Sequence, residues 1–441
     1  MQAEEPVVVI VGSGFGGMNA AQQLKNAPVK VILVDRNNYH LFQPLLYQVA
    51  TAGVSPSEIA YPVRAIFRKQ KNLEYRLTEM TGLDTQHCQV LTSTEPIPYD
   101  YLILAPGGET NFFGLESVAR HGIGLKDLDD AVAIRNHVLK MFELAVQEED
   151  PQICKALRTF VIVGGGPTGV ECAGSLSELI RLVLTKDFPG MVFDDVEVLI
   201  LEMTDKLLVG FPEELGKAAL ETLREKHVQV RFHATVDDYD GQKVSLKSGE
   251  TIPAYTLVWA AGVRAVQVMD QTGFEQARQG RVIVERTLQV PGQPNIFVVG
   301  DSAYLEENGK GLPMLAPVAI QQGKLAARNI LHLIAGEPLE IFQYKNPGQL
   351  ATIGRNAAVA YVKGIKFYGL VAWLVWLVVH LFWLIGFRNR LIVLIGWAED
   401  YLLYERAVRL ITPDGNPATK EHPWPIDQDR PSSVTETTQS S

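Results

Sequence analysis

Cysteine is scarce in this chain, which has only Cys88, Cys154 and Cys172 among its 441 residues. Three scattered cysteines provide neither a disulfide framework nor a zinc site, so we expect no metal centre and a reducing compartment. Positive charge is also short, with 40 Lys and Arg against 50 Asp and Glu. Nucleic acid is therefore not an expected partner, because binding to phosphates needs clustered cations.

The N-terminus lacks the basic and apolar regions of a secretory signal. Two acids, Glu4 and Glu5, stand directly before the first apolar strand. We therefore expect no signal for export. The composition, 47% hydrophobic and 20% charged, is that of a folded protein, and the length allows about two to four domains.

A glycine-rich turn follows the apolar residues 7–11. It opens a β-α-β pattern whose second strand ends at Asp35, 23 residues after Gly12. Gly12 permits the tight turn, Gly14 lets the backbone approach a phosphate, and Gly17 lets the helix pack on the strand. This spacing predicts a Rossmann unit in which Asp35 binds a ribose hydroxyl. A glycine turn without a ligand is the alternative.

A second glycine turn follows residues 159–163, with Gly164, Gly166 and Gly169 in the same register. Its acid, Glu202, comes 38 residues after Gly164, so we expect an insertion such as 184–195 between helix and strand. If Glu202 holds a ribose, its charge favours NADH over NADPH. Two dinucleotides in one chain imply electron transfer between them.

Further apolar strands end in small or acidic residues. Residues 101–108 end in a Pro-Gly-Gly turn, 256–263 play the same part for the second unit, and 295–301 end in Gly300 and Asp301. Asp301 is interpreted as a ligand for polyol hydroxyls or, equally, as a helix cap. If Asp301 is a ligand for polyol hydroxyls, a segment that follows the second Rossmann unit completes the first unit. The aromatic residues 38–47 either line a flat ligand or belong to the core.

The C-terminal region is strongly apolar. Residues 368–387 carry no formal charge and as a helix would span about 30 Å, the thickness of a bilayer core. However, Trp373, Trp376, His380 and Trp383 share one helical face. Tryptophan prefers the headgroup boundary, so this pattern favours a helix lying in the membrane surface, with His380 packed or interfacial.

Residues 391–411 predict a second helix, with Leu394, Trp397, Tyr401, Tyr404 and Val408 on one side. Together the two helices are interpreted as an amphipathic hairpin. Core helices of a dimer interface are the alternative. Residues 412–441, rich in Pro, Ser and Thr, predict a disordered tail.

Five motifs together resemble the type II NADH:quinone oxidoreductases. They are GGGPTGVE at 164–171, WAAGV at 259–263, VVGD at 298–301, Ala-x-x-Ala-x-Gln at 316–321 and ATIGR at 351–355. The resemblance covers about residues 6–411. It implies an α/β fold with two Rossmann-like domains, the second inserted in the first, and a C-terminal amphipathic helical region that anchors the chain to a membrane.

The implied domains are an FAD-binding domain at 1–112 and 266–345, an NADH-binding domain at 113–265 and a membrane and quinone region at 346–411. The implied site residues fall into four groups. They are Gly12, Gly14, Gly17, Asp35, Gly107, Gly300 and Asp301 for FAD; Gly164, Gly166, Gly169, Glu202 and Gly262 for NADH; Ala316, Ala319 and Gln321 for the quinone; and Glu171 and Gln321 for catalysis. Pro317 replaces the first glutamine of the family's quinone motif.

The resemblance implies that a hydride passes from NADH to a tightly bound FAD and that two electrons then pass to a membrane quinone. No proton pumping is expected, because no chain of ionisable residues crosses a bilayer. The expected location is the cytoplasmic face of the plasma membrane or its equivalent, with a homodimer as an open alternative.

Two rival functions stay open. A disulfide or sulfide oxidoreductase would need a redox cysteine pair near the flavin, but Cys88 precedes the second turn by 76 residues and no cysteine follows Cys172. A membrane-tethered flavoprotein that binds NADH without a catalytic role is the other.

Overall fold

The computed structural model describes residues 5–385, 387–403 and 408–412, and two mainly parallel sheets form its framework. The first sheet has six strands, all parallel except for the short edge strand Gln289–Val290. Continuous apolar runs form these strands because helices and loops cover both faces of a parallel sheet. Their spatial order is Gln289–Val290, Gln293–Val298, Tyr101–Leu104, Val7–Val11, Lys30–Asp35 and Leu73–Leu77.

The second sheet has five parallel strands, built while the chain is away from the first sheet. The chain leaves the first sheet after Tyr101–Leu104 and returns to it with the edge strand Gln289–Val290 and then Gln293–Val298, which pairs with Tyr101–Leu104. The strands of the second sheet lie in the order Ile123–Gly124, Thr256–Trp259, Thr159–Val163, Glu197–Leu201 and Val228–Arg231.

Smaller sheets connect and flank these two. The pair Gly108–Thr110 and Val263–Ala265 stands where the chain leaves the first sheet and where it comes back from the second. The others are Tyr39–Leu41 with Ala60–Pro62; Met80–Asp84, Gln89–Thr92 and Ile97–Pro98; Val236–Tyr239, Lys243–Leu246 and Thr251–Pro253; Val282–Ile283 with Ala303–Tyr304; Glu306–Glu307 with Lys310–Gly311; and Gln349–Thr352, Ala358–Val362 and Ile365–Tyr368.

Each glycine turn begins a helix, Phe15–Gln23 in the first unit and Pro167–Glu178 in the second. The first packs closely on the helix Ala316–Ala335, because a Cβ at Gly323 would lie 2.1 Å from the carbonyl oxygen of Gly16. The remaining helices of the main body are Leu46–Ala50, Pro56–Ile59, Val63–Phe67, Glu116–His121, Leu128–Gln147, Pro151–Leu157, Thr185–Asp187 and Glu213–Glu225. The short 3₁₀ segments are Gln43–Leu45, Gln267–Gln271, Arg278–Gly280 and Gly300–Ser302.

The predicted insertion in the second unit is partly helical. A π-helical segment, Leu179–Leu184, and the short helix Thr185–Asp187 continue the helix, and a loop then leads to Glu197–Leu201. The apolar periodicity of 179–184 does not distinguish a π-helix from an α-helix, so the helix runs further than the sequence indicated.

Two helices end the described chain, Gly369–Trp383 and Phe387–Leu403, and we call them the C-terminal hairpin. The first has 15 residues and is therefore only about 22 Å long, short of the ~30 Å bilayer core. Within the described ranges, no helix combines the length and apolar character needed to cross a membrane.

Candidate functional site

The three glycines of the first turn meet different surroundings. Gly12 has a φ of 95°, and a Cβ there would lie 2.2 Å from the carbonyl oxygen of Ala105. A Cβ at Gly17 would lie 1.8 Å from the carbonyl oxygen of Gly12, whereas one at Gly14 would meet nothing within 4 Å. The turn is thus tight on the sheet side and open at Gly14, where a ligand can approach the backbone.

The carboxylate of Asp35 closes the first turn. One oxygen accepts hydrogen bonds from the Ser13 amide at 2.6 Å and the Ser13 hydroxyl at 2.8 Å, and the other accepts from the Asn37 amide at 2.7 Å. Three donors fix the orientation of this carboxylate at the strand end.

A cavity of about 890 Å³ opens in front of this turn, and we call it the large cavity. Its size falls within the range typical of cofactor pockets. Of the residues predicted to hold FAD or the quinone, the structure brings to its walls Gly12, Gly14, Asp35, Gly107, Gly300, Asp301, Ala316 and Ala319. Open backbone at Gly14 and a roomy, partly polar cavity fit a bound dinucleotide.

Lys126 belongs to this cavity and was missed from the sequence. Its ammonium group pairs with Asp301 at 2.9 Å, and both side chains are largely buried. Its backbone amide donates to Asp130, whose pKa is raised to about 6 by burial and then by the nearby Asp127. No motif surrounds Lys126, so only the three-dimensional approach to Asp301 reveals it.

The second turn repeats the geometry of the first. Gly164 has a φ of 110°, a Cβ at Gly169 would lie 1.9 Å from the carbonyl oxygen of Gly164, and Gly166 is open. The Glu202 carboxylate accepts from the Gly165 amide at 2.6 Å and the Thr204 amide at 2.7 Å. The long spacing before Glu202 therefore leaves its carboxylate at the same place on its turn as that of Asp35.

Gly262 lies in the short connection between the strand Thr256–Trp259 of the second sheet and the strand Val263–Ala265. A Cβ at Gly262 would meet the ring of Phe113 at 2.6 Å, and its carbonyl oxygen accepts a hydrogen bond from the Asn111 amide. Phe113 is an exposed aromatic side chain with a φ of 52°. No sequence motif indicates this contact.

Glu171 is fully enclosed on the helix that follows the second turn. Its carboxyl accepts a hydrogen bond from the Thr352 amide at 3.2 Å. Burial raises the pKa of Glu171 to about 8, while the Thr352 amide and the Trp376 indole oppose that rise. At neutral pH the side chain is therefore mainly the neutral acid.

The ATIGR motif, residues 351–355, packs against the helix that carries Glu171. A Cβ at Gly174 would lie 2.7 Å from the carbonyl oxygen of Ile353, so the glycine lets the strand approach. Glu178, two turns beyond Glu171, accepts from the Arg355 amide and from the Lys226 ammonium, each at 2.6 Å. The motif thus anchors the C-terminal region to the second unit.

A second cavity, about 350 Å³, lies between the C-terminal hairpin and the main body, and we call it the apolar groove. The hairpin supplies most of its walls and the main body supplies polar groups at one side. The lining residues used below are Gln48, Ser175, Glu178, Thr352, Trp376 and Trp397.

A line of aromatic rings runs from the wall of the large cavity to the wall of the apolar groove. Phe15, in the wall of the large cavity, contacts Phe42, and Phe42 contacts His380, with ring centroids 6.1 and 6.3 Å apart. His380 stacks on Trp376 at 4.1 Å, and Trp376 lines the apolar groove. We call these four rings the aromatic partition.

This arrangement overturns the predicted orientation of the first C-terminal helix. Trp376 is only 1% exposed and His380 is packed against it, so the middle of this aromatic face points into the protein rather than toward a headgroup boundary, whereas Trp383 at its end is exposed. The exposed side is aliphatic and aromatic instead, and includes Leu370, Val371, Leu374, Val378 and Phe382. The error arose because spacing identifies a shared face but not what covers it.

The residues predicted to share one side of the second helix have different surroundings. Leu394 is exposed, whereas Trp397 is partly buried and donates its indole N–H to Gln48 at 3.0 Å. The buried side carries Asn389 and Val393. The side chain of Tyr401, all of Tyr404 and residues 413–441 of the predicted tail lie outside the described residues.

Gln321 lies on a different side of its helix from Ala316 and Ala319. Its amide is engaged with the backbone of Lys345, donating at 2.9 Å and accepting at 3.0 Å. It is not among the residues lining the large cavity or the apolar groove. A role for Gln321 with a quinone stays a prediction, and it requires this paired amide to be released.

Sequence and structure comparisons define the class first. Residues 6–323 match the family model of pyridine nucleotide-disulphide oxidoreductases, and residues 347–405 match the NDH2 C-terminal domain. In structure, the chain is similar to NDH2 from Plasmodium falciparum, with a TM-score of 0.85, 20% identity and coverage of 93% of this chain and 100% of that one. This fold is that of a flavin- and nucleotide-binding oxidoreductase.

The sequence relatives narrow the class. The chain is 40% identical over 420 residues to a type II NADH:quinone oxidoreductase of Mycobacterium tuberculosis, covering 92% of this chain and 90% of the relative. It is 31% identical to an internal alternative NAD(P)H-ubiquinone oxidoreductase of Arabidopsis thaliana, covering 91% and 85%. The chain belongs to the type II NADH:quinone oxidoreductase family, which confirms the predicted family and enzyme class.

Proposed function

We propose that this enzyme transfers a hydride from NADH to FAD in the large cavity and passes two electrons to a membrane quinone in the apolar groove. The observation that carries the proposal is that the aromatic partition, Phe15, Phe42, His380 and Trp376, runs from the wall of the large cavity to the wall of the apolar groove. When bound, the flavin supplies the exchange between a two-electron hydride donor and a quinone.

For the flavin, we propose that the first turn binds the pyrophosphate at Gly14 and at the helix N-terminus behind it, with Gly12 and Gly17 shaping the turn. Asp35 is placed to bind a ribose hydroxyl, and Gly107, Gly300 and Asp301 complete the wall. Lys126, paired with Asp301, balances that acid's charge inside the cavity.

For NADH, we propose that the second turn binds the pyrophosphate at Gly166 and that Glu202 binds the ribose. The support is the repeated geometry: two backbone amides, those of Gly165 and Thr204, hold the Glu202 carboxylate. A fixed anion at this place disfavours a 2′-phosphate by like-charge repulsion. Gly262 lies at the neighbouring strand end, and we propose that it borders the nicotinamide side.

For the quinone, we propose that the tail occupies the apolar groove and that the head group approaches the aromatic partition. Ala316 and Ala319, predicted for the quinone, line the flavin side instead, where small side chains leave room. Glu171 lies beside the groove residues Thr352 and Trp376 and is neutral at pH 7, so it can release a proton toward a reduced quinone.

We propose that the exposed side of the C-terminal hairpin lies on the cytoplasmic surface of the membrane or its equivalent. Val378 and Phe382 are 69% and 71% exposed, within a larger apolar face. The hairpin is bonded to the main body at two points. Near the start of its second helix, Asn389 donates to the carbonyls of Glu58 and Ser57, and after the hairpin the Thr412 carbonyl accepts from Asn136. That tethering favours a hairpin lying along the surface.

A disulfide or sulfide reductase chemistry is disfavoured by the cysteines. Cys172 is fully buried, and burial raises the pKa of its thiol to about 12, which suppresses the thiolate that such chemistry needs. Cys88 and Cys154 are free.

The test is NADH oxidation by the purified holoenzyme with a short-chain quinone. Rapid turnover with reoxidation of the flavin supports the proposal, and a flavin that is reduced by NADH but not reoxidised by the quinone contradicts it. The Cys172→Ser variant is the matched control, because a cysteine mechanism predicts that NADH-dependent reduction of a disulfide to a dithiol disappears in it. Acidification or alkalinisation inside sealed proteoliposomes that hold only this protein would refute the absence of proton pumping.

The membrane arm has its own test. Alkaline carbonate should release the protein from vesicles, and protease should reach residues 412–441 from the side that carries the flavin domains. Protection of those residues on the opposite side would contradict a hairpin in the membrane plane. A soluble homodimer that hides the apolar face would favour the dimer alternative.

A further inference from the structure

Trp376 carries a buried indole N–H that has no hydrogen bond of good geometry among the described residues. Its side chain is 1% exposed, so bulk water does not reach the N–H. Native proteins rarely leave a buried donor unpaired, since the group loses its hydration without compensation. An acceptor that forms only in one state of the enzyme would account for it.

The indole ring is held in place by its neighbours. The imidazole of His380 stacks on it with the planes 23° apart, and the Nδ1–H of His380 donates to the Trp376 carbonyl oxygen at 2.8 Å. Burial lowers the pKa of His380 to about 4, so the stacked ring is neutral. The rings of Tyr47 and Trp397 contact the indole from other sides, at 6.4 and 5.9 Å.

The acceptor in reach is Glu171. The strand Gln349–Thr352 brings the Thr352 amide to this carboxyl, and the helix Gly369–Trp383 brings the indole N–H of Trp376 to it. Among the described residues, no charged side chain contributes to the pKa of Glu171.

The other titratable groups near Glu171 are neutral or already paired. On its own helix, the adjacent Cys172 is kept as the thiol, and Glu178 is in an ion pair with Lys226. His380 lies behind the indole in its neutral form. Within the described part of the chain, the Trp376 N–H is the one side-chain donor that lowers the pKa of Glu171.

We propose that Trp376 is a positioning residue for Glu171: its indole N–H, held by the stacked His380 ring, is the donor that the carboxylate accepts once the acid has lost its proton. The inference rests on the proposed function in one respect, the destination of that proton. The O–H bond of the acid breaks, the proton goes to an oxygen of the reduced quinone, and the negative charge stays on the carboxylate. Solvent later returns the proton.

The test is an infrared titration of the oxidised holoenzyme without quinone. The band of the protonated Glu171 carboxyl is assigned by its loss in Glu171→Gln. In Trp376→Phe, which keeps an aromatic ring but removes the N–H, the midpoint should rise by about one to two pH units, because the ionised form loses a charge-assisted hydrogen bond. An unchanged midpoint would overturn the inference.

Trp397→Phe is the matched control. It removes the N–H of a neighbouring indole that donates to Gln48 instead of Glu171, so its midpoint should stay at the wild-type value. An equal rise in both variants would assign the effect to repacking and overturn the proposal. His380→Leu, which removes the stacked ring, should raise the midpoint in the same direction as Trp376→Phe but by less.

A second measurement covers the case in which Trp376→Phe does not fold with its flavin. In the wild-type holoenzyme, one of the six indole N–H resonances should shift with pH at the midpoint of the carboxyl band, and this shift should vanish in Glu171→Gln. Six pH-independent resonances would contradict the inference. Neither titration needs quinone turnover. An enzyme that fails to reduce quinones would therefore contradict the proposed function, while the titrations would still test the role of Trp376.

Discussion

The two glycine turns of this protein hold their acids in the same way but with different residues. In the first, Asp35 accepts from the Ser13 amide and hydroxyl; in the second, Glu202 accepts from the Gly165 amide alone at that position. A Cβ at Gly165 would lie 2.9 Å from the Glu202 oxygen. The extra methylene of Glu202 thus takes the space that a serine side chain occupies in the first turn.

The turns also differ seven residues after their first glycine. The first unit has Asn19, whose amide donates to the Phe15 carbonyl oxygen at 2.8 Å, and the second has the titratable Glu171. The first turn faces the large cavity and its Lys126 and Asp301 pair. We take this difference to mean that the first unit holds a resident cofactor and the second a cofactor that arrives, reacts and leaves.

The largest expected effect comes from adding one methyl group to either turn, which should affect a different cofactor in each case. In Gly17→Ala the new Cβ lies 1.8 Å from the Gly12 carbonyl oxygen, and in Gly169→Ala it lies 1.9 Å from that of Gly164. Overpacking of this kind costs about 1–3 kcal/mol or more, so we expect each change to weaken its own cofactor by at least roughly tenfold. Gly17→Ala should lose FAD, while Gly169→Ala should keep FAD and raise the KM for NADH.

Flavin content per protein and the KM for NADH are the two measurements. Gly14→Ala and Gly166→Ala are the controls for folding, because a Cβ at either position meets nothing within 4 Å. Loss of FAD from Gly169→Ala in a folded protein would break the assignment.

The next effect concerns the acid of the second turn. Glu202→Gln should raise the KM for NADH by about tenfold and reduce the preference over NADPH, because a charge-assisted hydrogen bond is lost and the repulsion of a 2′-phosphate disappears. Asp35→Asn should leave that preference unchanged and weaken FAD retention instead. Steady-state kinetics with both nucleotides check this, and an unaltered preference in Glu202→Gln would count against a ribose contact.

A residue swap sharpens the same comparison. Gly165→Ser alone should weaken NADH binding by roughly tenfold, because its Cβ meets Leu207 Cδ2 at 2.6 Å and the Glu202 oxygen at 2.9 Å. Combining it with Glu202→Asp recreates the pattern of the first turn and should recover the part of the loss that comes from Glu202. A double-mutant cycle on the KM for NADH measures the coupling, and simple additivity of the two losses would show that the two turns are not equivalent in geometry.

A smaller effect is expected at Lys126. Lys126→Met leaves the carboxylate of Asp301 without its cation, and we expect FAD affinity to fall by about three- to tenfold. Lys126→Arg, which keeps the charge, should retain most of the affinity. Fluorescence titration of the apoprotein with FAD measures both, and equal losses would indicate that the shape of the lysine matters rather than its charge.

The smallest effect on cofactor binding at the two turns is expected from Glu171, because its raised pKa acts on the free energy of unfolding instead. Its pKa is raised from 4.5 to about 8 on folding, so the native state binds more protons than the unfolded state between these values, and stability falls as the pH rises from about 4.5 to 8. Glu171→Gln lacks this penalty. Urea unfolding should therefore show its stability relative to wild type increasing from pH 5 to pH 8, and a constant difference would contradict the buried acid.

The parts predicted well from the sequence are those set by local backbone geometry. The strand, turn and helix around Gly12 and Gly164 follow from β-branched runs ending in glycine, and the α/β nucleotide-binding fold is confirmed. What covers a side chain depends on distant segments. Trp376 was therefore expected at a headgroup boundary although it is buried in the protein, and the Lys126 partner of Asp301 was not found.

The most direct test of the central claim is the reduction of the flavin by NADH in Gly169→Ala, followed by visible absorbance. The account predicts a full complement of FAD that is no longer bleached at NADH concentrations that reduce the wild type, with bleaching recovered at much higher NADH. Bleaching at wild-type NADH concentrations, or a protein without FAD, would contradict the division into a resident flavin at the first turn and a visiting NADH at the second.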